Sequence, residues 1–248
     1  MPVTRDYRSI PIFLNARDLL VPLRRMVNWL LHAGYHRIYI LDNASTYPPL
    51  LDYYQAVRND VRVIPLGSNV GHTAIWDLNV PAALGVTGPY VYSDPDIVPV
   101  DECPPHVLGY FLDVLAAFPD RTKVGFGLKI DDLPDHYQFK QKVIIWESQF
   151  WEKKLAPKVY DAAVDTTFAL YRPGAKYDLS AVRTGFPYVA RHHPWYEDSA
   201  HPSEDQAYYL KHARPGINNW SAAQLQGWLD NLIAQRAASW HGREAVPA

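Results

Sequence analysis

The chain holds 248 residues, 48% hydrophobic and 20% charged, which is enough to bury one substantial core and too ordinary for a disordered or fibrous protein. With 24 basic against 26 acidic residues and no long block of one sign, nothing announces a phosphate-backbone partner, and a nucleic-acid role is not expected. The single cysteine, Cys103, cannot form an internal disulfide, which fits a reducing, cytoplasmic setting.

Arg5, Asp6, Arg8, Asn15, Arg17 and Asp18 break up the apolar stretch a signal peptide would need. No later run approaches the ~18 apolar residues of a membrane span, so membrane contact, if any, is expected to be peripheral. Short apolar runs alternate with helical patterns through the first half, the signature of βαβ units in a largely parallel sheet. A first strand is expected at 10–14. Leu19, Leu20, Leu23, Met26, Val27, Leu30 and Leu31 then recur at helical spacing, and Gly34 ends that helix before a second strand at 37–41. Asp42-Asn43-Ala44-Ser45-Thr46 is turn chemistry. A helix at 48–58, a strand at 61–65, a helix at 73–84 and a strand at 90–93 complete the series. The second half is less regular, with a helix at 105–118, strands at 124–130 and 167–171, and a helix at 204–213. Leu225, Trp228, Leu229, Leu232 and Ile233 read as a last amphipathic helix, packed on the body or on a partner. No Gly/Ser linker cuts the chain, so one α/β domain is expected, with lobes at about 8–100 and 101–215 and a C-terminal helix at 216–248.

Ligands of such sheets sit beyond the carboxyl ends of the strands. The residues there are polar: Asn15, Arg17 and Asp18, then Asp42 and Asn43, then Asn69, Gly71 and His72, then Asp94 and Asp96. The most informative segment is Tyr90-Val91-Tyr92-Ser93-Asp94-Pro95-Asp96. Side chains two apart on an extended chain point the same way, and Pro95 holds the extension, so two carboxylates converge. Hard divalent ions such as Mg2+ or Mn2+ are bound by one or two carboxylates together with substrate phosphates and water, and a diphosphate fits that description. An Asp-x-Asp triplet also occurs in ordinary surface turns. Its position at the end of a buried-type strand is what favours a metal here.

In Ile10-Pro11-Ile12-Phe13-Leu14-Asn15, Asp42-Asn43-Ala44-Ser45-Thr46, Asn69-Val70-Gly71-His72 and Asp94-Pro95-Asp96, the chain resembles the glycosyltransferases of the GT-A fold, especially the family 2-like bacterial enzymes. The likeness covers roughly residues 8–215. It implies a Rossmann-like α/β domain with a mostly parallel central sheet flanked by helices. It also implies a UDP- or GDP-sugar donor on the first lobe and a carbohydrate or glycoconjugate acceptor on the second. Residue by residue, it implies that Asn15 and Arg17 line the nucleotide pocket, Asp42 meets the base, Asn69 and Gly71 border the nucleotide, and Asp94 and Asp96 hold Mn2+ or Mg2+. Asp165, in Asp165-Thr166-Thr167, resembles the family segment that faces the donor sugar.

An inverting displacement, the favoured stereochemistry, needs a base for the acceptor hydroxyl. Glu204-Asp205 resembles the family's Glu-Asp motif, in which the Asp is that base, although an acidic first helical turn reads the same way. Glu197-Asp198, after Arg191-His192-His193-Pro194-Trp195-Tyr196, is a competing pair that departs from the family pattern, so the base stays open between Asp205 and Asp198. His192, or its neighbour His193, is a candidate third metal ligand, and Trp195 either floors an acceptor sugar or packs in the core. Trp146-Glu147, Phe150-Trp151 and Asp131-Asp132 read as structural or merely exposed. Two other functions make different demands on the sequence. A sugar-phosphate nucleotidyltransferase should open with a Gly-rich basic loop, and residues 10–20 contain no glycine. A non-catalytic nucleotide- or carbohydrate-binding module on the same scaffold would bind sugar without turnover.

Overall fold

β1 (Ile12–Ala16) is buried at every position, as a strand covered on both faces of a parallel sheet must be. Its alternating side chains feed two cores. Ile12 and Leu14 pack with Leu23, Met26, Val27 and Leu30 of α1 (Leu20–His32), while Phe13 joins Leu41, Ile75, Tyr92 and Tyr171 on the other side. The structure, a computed structural model, describes residues 6–213 and beyond them only Gly227, Asp230 and Ala234. Apart from those three residues, the expected helix at 216–248 lies outside the described residues.

β2 (Ile38–Asp42) and β3 (Arg62–Pro65) follow β1 on one side, and β4 (Tyr90–Ser93) pairs with its other side, all of them parallel. The sheet therefore changes its direction of growth between β1 and β4. A crevice opens at such a switch point, beyond the carboxyl ends of the two strands. α1 ends at Ala33 and Gly34, the latter at φ +85, where only glycine is unstrained. α2 (Pro48–Val57) starts on proline, whose missing N–H would have been unpaired in a first turn anyway. The helix expected at 73–84 is two short turns, α3 (Ala74–Asp77) and α4 (Val80–Ala83), separated by Asn79 at φ 47. Pro81 explains the break, because a continuous helix would require the N–H that proline lacks.

The same sheet continues through the second half from β4 to β9 (Ala169–Tyr171), β6 (Lys123–Leu128), β10 (Ala181–His192), β8 (Val159–Asp161) and β7 (Lys154–Ala156), in the order β3-β2-β1-β4-β9-β6-β10-β8-β7. β9 is antiparallel to both β4 and β6 and joins the two halves. α5 (Val107–Ala117) packs Phe111 against Phe126 and Phe168, with ring centroids 5.1 and 6.4 Å away. Among the described residues, five strands and helices were not expected from the sequence: β5 (Ile97–Pro99), α6 (Lys140–Ser148), β7 and β8, which form a hairpin, and the twelve-residue β10. β10 is broken as a pattern by Gly185 and Pro187. Its register against β6 shifts between Thr184 and Val189, where a proline without an N–H can be absorbed. β10 ends at His192, and α7 (Glu204–His212) follows after a short 3-10 turn at His193–Tyr196. Among the described residues, no helix is long and apolar enough to cross a membrane.

Candidate active site

A cleft of about 830 Å³ opens at the switch point and is lined from both halves of the chain. That volume suits a ligand of nucleotide-sugar size. At its back, Asp94 and Asp96 leave the end of β4. The Asp94 backbone N–H donates to Thr166 O at 2.8 Å, and Thr166 Oγ1 donates to Asp94 Oδ2 at 2.5 Å. Burial, and next the charge of Asp96, hold the Asp94 carboxyl well above the usual carboxylate range. His192 reaches the same point from β10, with its Nε2 3.5 Å from Asp96 Oδ2. Burial lowers the His192 pKa more than Asp96 raises it, so the ring is neutral at pH 7 and has a lone pair to offer. Trp195 lies against the His192 ring at 4.6 Å between centroids.

The loops after β1, β2 and β3 are knitted together by amides. Asn43 Nδ2 donates to Asn15 Oδ1 at 2.6 Å and to Gly71 O at 3.0 Å, and Asn15 Nδ2 donates to Gly71 O at 3.2 Å. Val70 N–H donates to Asn43 Oδ1 at 2.8 Å, Gly71 N–H to Asn69 Oδ1 at 3.1 Å, and Tyr92 Oη to His72 O at 2.6 Å. Gly71 sits at φ +98 with open space where a Cβ would point. Arg17 Nη1 donates to the Asn43 and Ala44 carbonyls at 2.6 and 2.9 Å. Asn15, Arg17, Asn69 and Gly71 thus line the cleft together.

Asp42 does not line it. Its Oδ1 accepts from Ser45 N–H at 3.1 Å and Tyr54 Oη at 3.2 Å, so the residue expected to meet a base closes its own turn instead. Asp205 does not line the cleft either. It is 2% exposed, and Oδ2 accepts Val21 N–H at 2.7 Å, capping the first turn of α1 from 184 residues away. Asp198 does line the cleft and pairs with His201 Nδ1 at 3.0 Å, a hydrogen bond that lowers its pKa. Its neighbour Glu197 accepts from Ser203 and stands 3.4 Å from His193 Nδ1. Trp195 is 2% exposed and belongs to the core as well as to the cleft wall.

Asp165 stands at the mouth, where its Oδ1 accepts from Tyr177 Oη at 2.7 Å. Beneath it the fully buried Lys123 donates to Asp178 O at 2.6 Å and Asp165 O at 3.3 Å, and lies 4.9 Å over the Tyr171 ring. Burial lowers its pKa to about 8. On the far wall, Glu147 and Arg183 form a buried pair at 2.7 Å, with the guanidinium 4.0 Å over the Phe150 ring. Thr166, Tyr177, Arg183, Gln206 and Tyr209 were not anticipated as lining residues. For Arg183 and Tyr209 the sequence carries no local signal. Thr166 could have been suspected only from its place beside Asp165.

The donor set at the back of the cleft suits a hard divalent cation. Asp96 Oδ1 and His192 Nδ1 are buried without a hydrogen-bond partner, and two carboxyl groups close enough to repel one another gain from a shared cation. Among the described residues, no three His, Cys, Asp or Glu side chains form a ready-made shell. Two carboxylates supplemented by ligand oxygens do not require one.

No family model matches the sequence, and no curated protein does. Similar solved structures include a mannosyltransferase from Pyrobaculum calidifontis in complex with GDP-Man and Mn2+, at 13% identity and TM-score 0.46, covering 96% of this chain and 76% of that one. Glucosyl-3-phosphoglycerate synthase from Mycobacterium tuberculosis, in complex with Mn2+, UDP and glucosyl-3-phosphoglycerate, is similar at 14% identity and TM-score 0.39. That match covers 66% of this chain and 57% of the synthase. An apo UDP-glucose pyrophosphorylase is similar at 9% identity and TM-score 0.40, covering 82% of this chain and 99% of that one. The solved neighbours thus include nucleotide-sugar glycosyltransferases, all at low sequence identity, and the ligands in their names belong to those proteins.

Proposed function

We propose that the protein is a divalent-metal-dependent glycosyltransferase that moves a sugar from a UDP- or GDP-sugar to a hydroxyl of a carbohydrate or glycoconjugate. The observation that carries this reading is the pair of carboxylates Asp94 and Asp96 at the end of β4, where burial and next the charge of Asp96 raise the Asp94 pKa, with Asp96 Oδ1 buried and unpartnered and His192 Nε2 3.5 Å from Asp96 Oδ2. Asp94, Asp96 and His192 would hold the cation. A bound Mn2+ or Mg2+ supplies charge neutralisation for the departing nucleoside diphosphate. Asn15, Arg17, Asn69 and Gly71 bind the nucleotide, and Asp165 faces the donor sugar. In an inverting transfer, Asp198 takes the proton of the acceptor hydroxyl. The oxygen forms a new bond to the anomeric carbon as that carbon's bond to the phosphate oxygen breaks, and the electron pair leaves with the diphosphate. Asp205 is set aside as base because it does not line the cleft and its Oδ2 accepts Val21 N–H, although its Oδ1 is buried without a hydrogen-bond partner. The buried free thiol of Cys103 agrees with work in a reducing compartment such as the cytoplasm.

The test is a thermal-shift panel of nucleoside diphosphates with and without Mn2+, on the native chain and on Asp96→Asn. A ligand at a hundredfold excess over its Kd adds about 2.7 kcal/mol, roughly 5 to 10 °C for a chain of this size. A Mn2+-dependent shift for one nucleotide, absent in the variant, supports the reading and names the donor class. No shift with any nucleotide in the presence of metal overturns it.

A further inference from the structure

α7 presents two faces with different tasks. Asp205, Tyr208 and His212, spaced three and four apart, form the anchoring face. Asp205 Oδ2 accepts Val21 N–H at 2.7 Å, Tyr208 Oη donates to Thr46 O at 3.2 Å, and His212 stacks on Tyr208 at 4.0 Å. The Tyr208 ring also lies 4.9 Å from that of Tyr47. Gln206, Tyr209 and Leu210 form the adjacent face, with Tyr209 one turn on from Asp205, and line the cleft. The anchors reach α1 and the loop after β2, so the helix is seated on the half of the molecule that carries Arg17.

Resting on the function proposed above, we propose that Tyr209 is a phosphate-binding residue, donating its phenol hydrogen bond to an oxygen of the diphosphate bound between Asp94/Asp96 and α7. The Tyr209 hydroxyl is pushed up to about 12, first by burial and then by the charges of Asp96 and Asp94, while Arg17 pulls it down. Tyr209, Asp94, Asp96 and Arg17 all line the one cleft, and a phenol is an uncharged donor at neutral pH. A neutral donor suits that place. It can meet a phosphate oxygen without adding charge to the cation and Arg17, and the anchored helix holds it there before the ligand arrives.

The experiment is calorimetric titration of the full chain and of Tyr209→Phe with UDP and GDP in Mn2+, and with uridine and guanosine as probes lacking phosphate. Phenylalanine keeps the ring and its packing. Tyr209→Gln, which restores a donor, is the second variant. The expected result is a loss of about 3- to 10-fold in affinity for the preferred nucleoside diphosphate in Tyr209→Phe, partly regained in Tyr209→Gln, with nucleoside binding unchanged. Equal diphosphate affinity in the native chain and Tyr209→Phe overturns the inference and leaves the transferase reading standing. So does an equal loss for nucleoside and diphosphate, which would move the contact to the base or ribose. A native chain that binds no nucleoside diphosphate in Mn2+ overturns both.

Discussion

Lys123 is a buried ammonium without a carboxylate in direct contact, and its cost should be readable as a pH dependence of stability. Its donors go to Asp178 O, Asp165 O and Tyr171 Oη at 2.6, 3.3 and 3.4 Å, and burial lowers its pKa from 10.5 to about 8. At 1.36 kcal/mol per tenfold change in proton affinity, keeping the charged form there costs about 3 kcal/mol. The folded pKa is depressed, so the folded chain binds fewer protons than the unfolded chain between pH 8 and 10.5. Below pH 8 both states are protonated and the whole cost is present. As pH rises through the window the cost is relieved, by about 2 kcal/mol between pH 7.5 and 10. Lys123→Met removes the titration but leaves acceptors without a donor, a loss of about 1 to 3 kcal/mol each that does not vary with pH. Urea unfolding of both chains across that range should show the native chain gaining about 2 kcal/mol on the variant. Tyr171 is held well above its ordinary value by burial, so its unfolded-state titration near pH 10 is common to both chains and cancels in their difference. Parallel stability curves, within about 0.5 kcal/mol of each other, would refute the reasoning.

Arg183→Met should cost about 3 to 5 kcal/mol by leaving Glu147 charged and unpaired in a site where both side chains are at most 5% exposed. The double variant with Glu147→Met should recover much of this in the same urea experiment. Gly127→Ala would set a Cβ 2.4 Å from Trp151 and 2.5 Å from Thr184 O, a backbone atom that cannot step aside. A loss of about 2 kcal/mol or more is expected, whereas Gly88→Ala, with nothing within 4 Å, should leave the melting temperature unchanged apart from helix- or loop-propensity effects. Asp205→Ala should cost about 1 to 2 kcal/mol through the lost cap on α1, with Asp205→Asn retaining most of it. Asp198→Asn should lower the transfer rate about 100-fold or more while leaving Mn2+-dependent nucleotide binding intact, and an unchanged rate would remove Asp198 as the base.

The sequence by itself determined the elements whose physics is local. Periodicity and punctuation marked the first four strands and the long helices, because a buried parallel strand must be apolar throughout and a helix packed on a sheet must be apolar every third or fourth residue. Asp94-Pro95-Asp96 was legible as two acids at the end of β4, but Pro95 and Asp96 lie in a turn before β5 and not on the extended chain expected of them. Tertiary structure alone decided the rest. Whether Asp205 or Asp198 looks into the cleft depends on Val21, 184 residues from Asp205, and the support of Asp94 comes from Thr166, 72 residues away. The same Asp-rich helix start reads as a catalytic motif or as an anchor until its partner is known. β10 was hidden because Gly185 and Pro187 erase its alternation, and a register shift against β6 restores it in space. A carboxylate's chemistry is set by what lies within a few ångströms of it, and in this fold those neighbours come from distant parts of the chain.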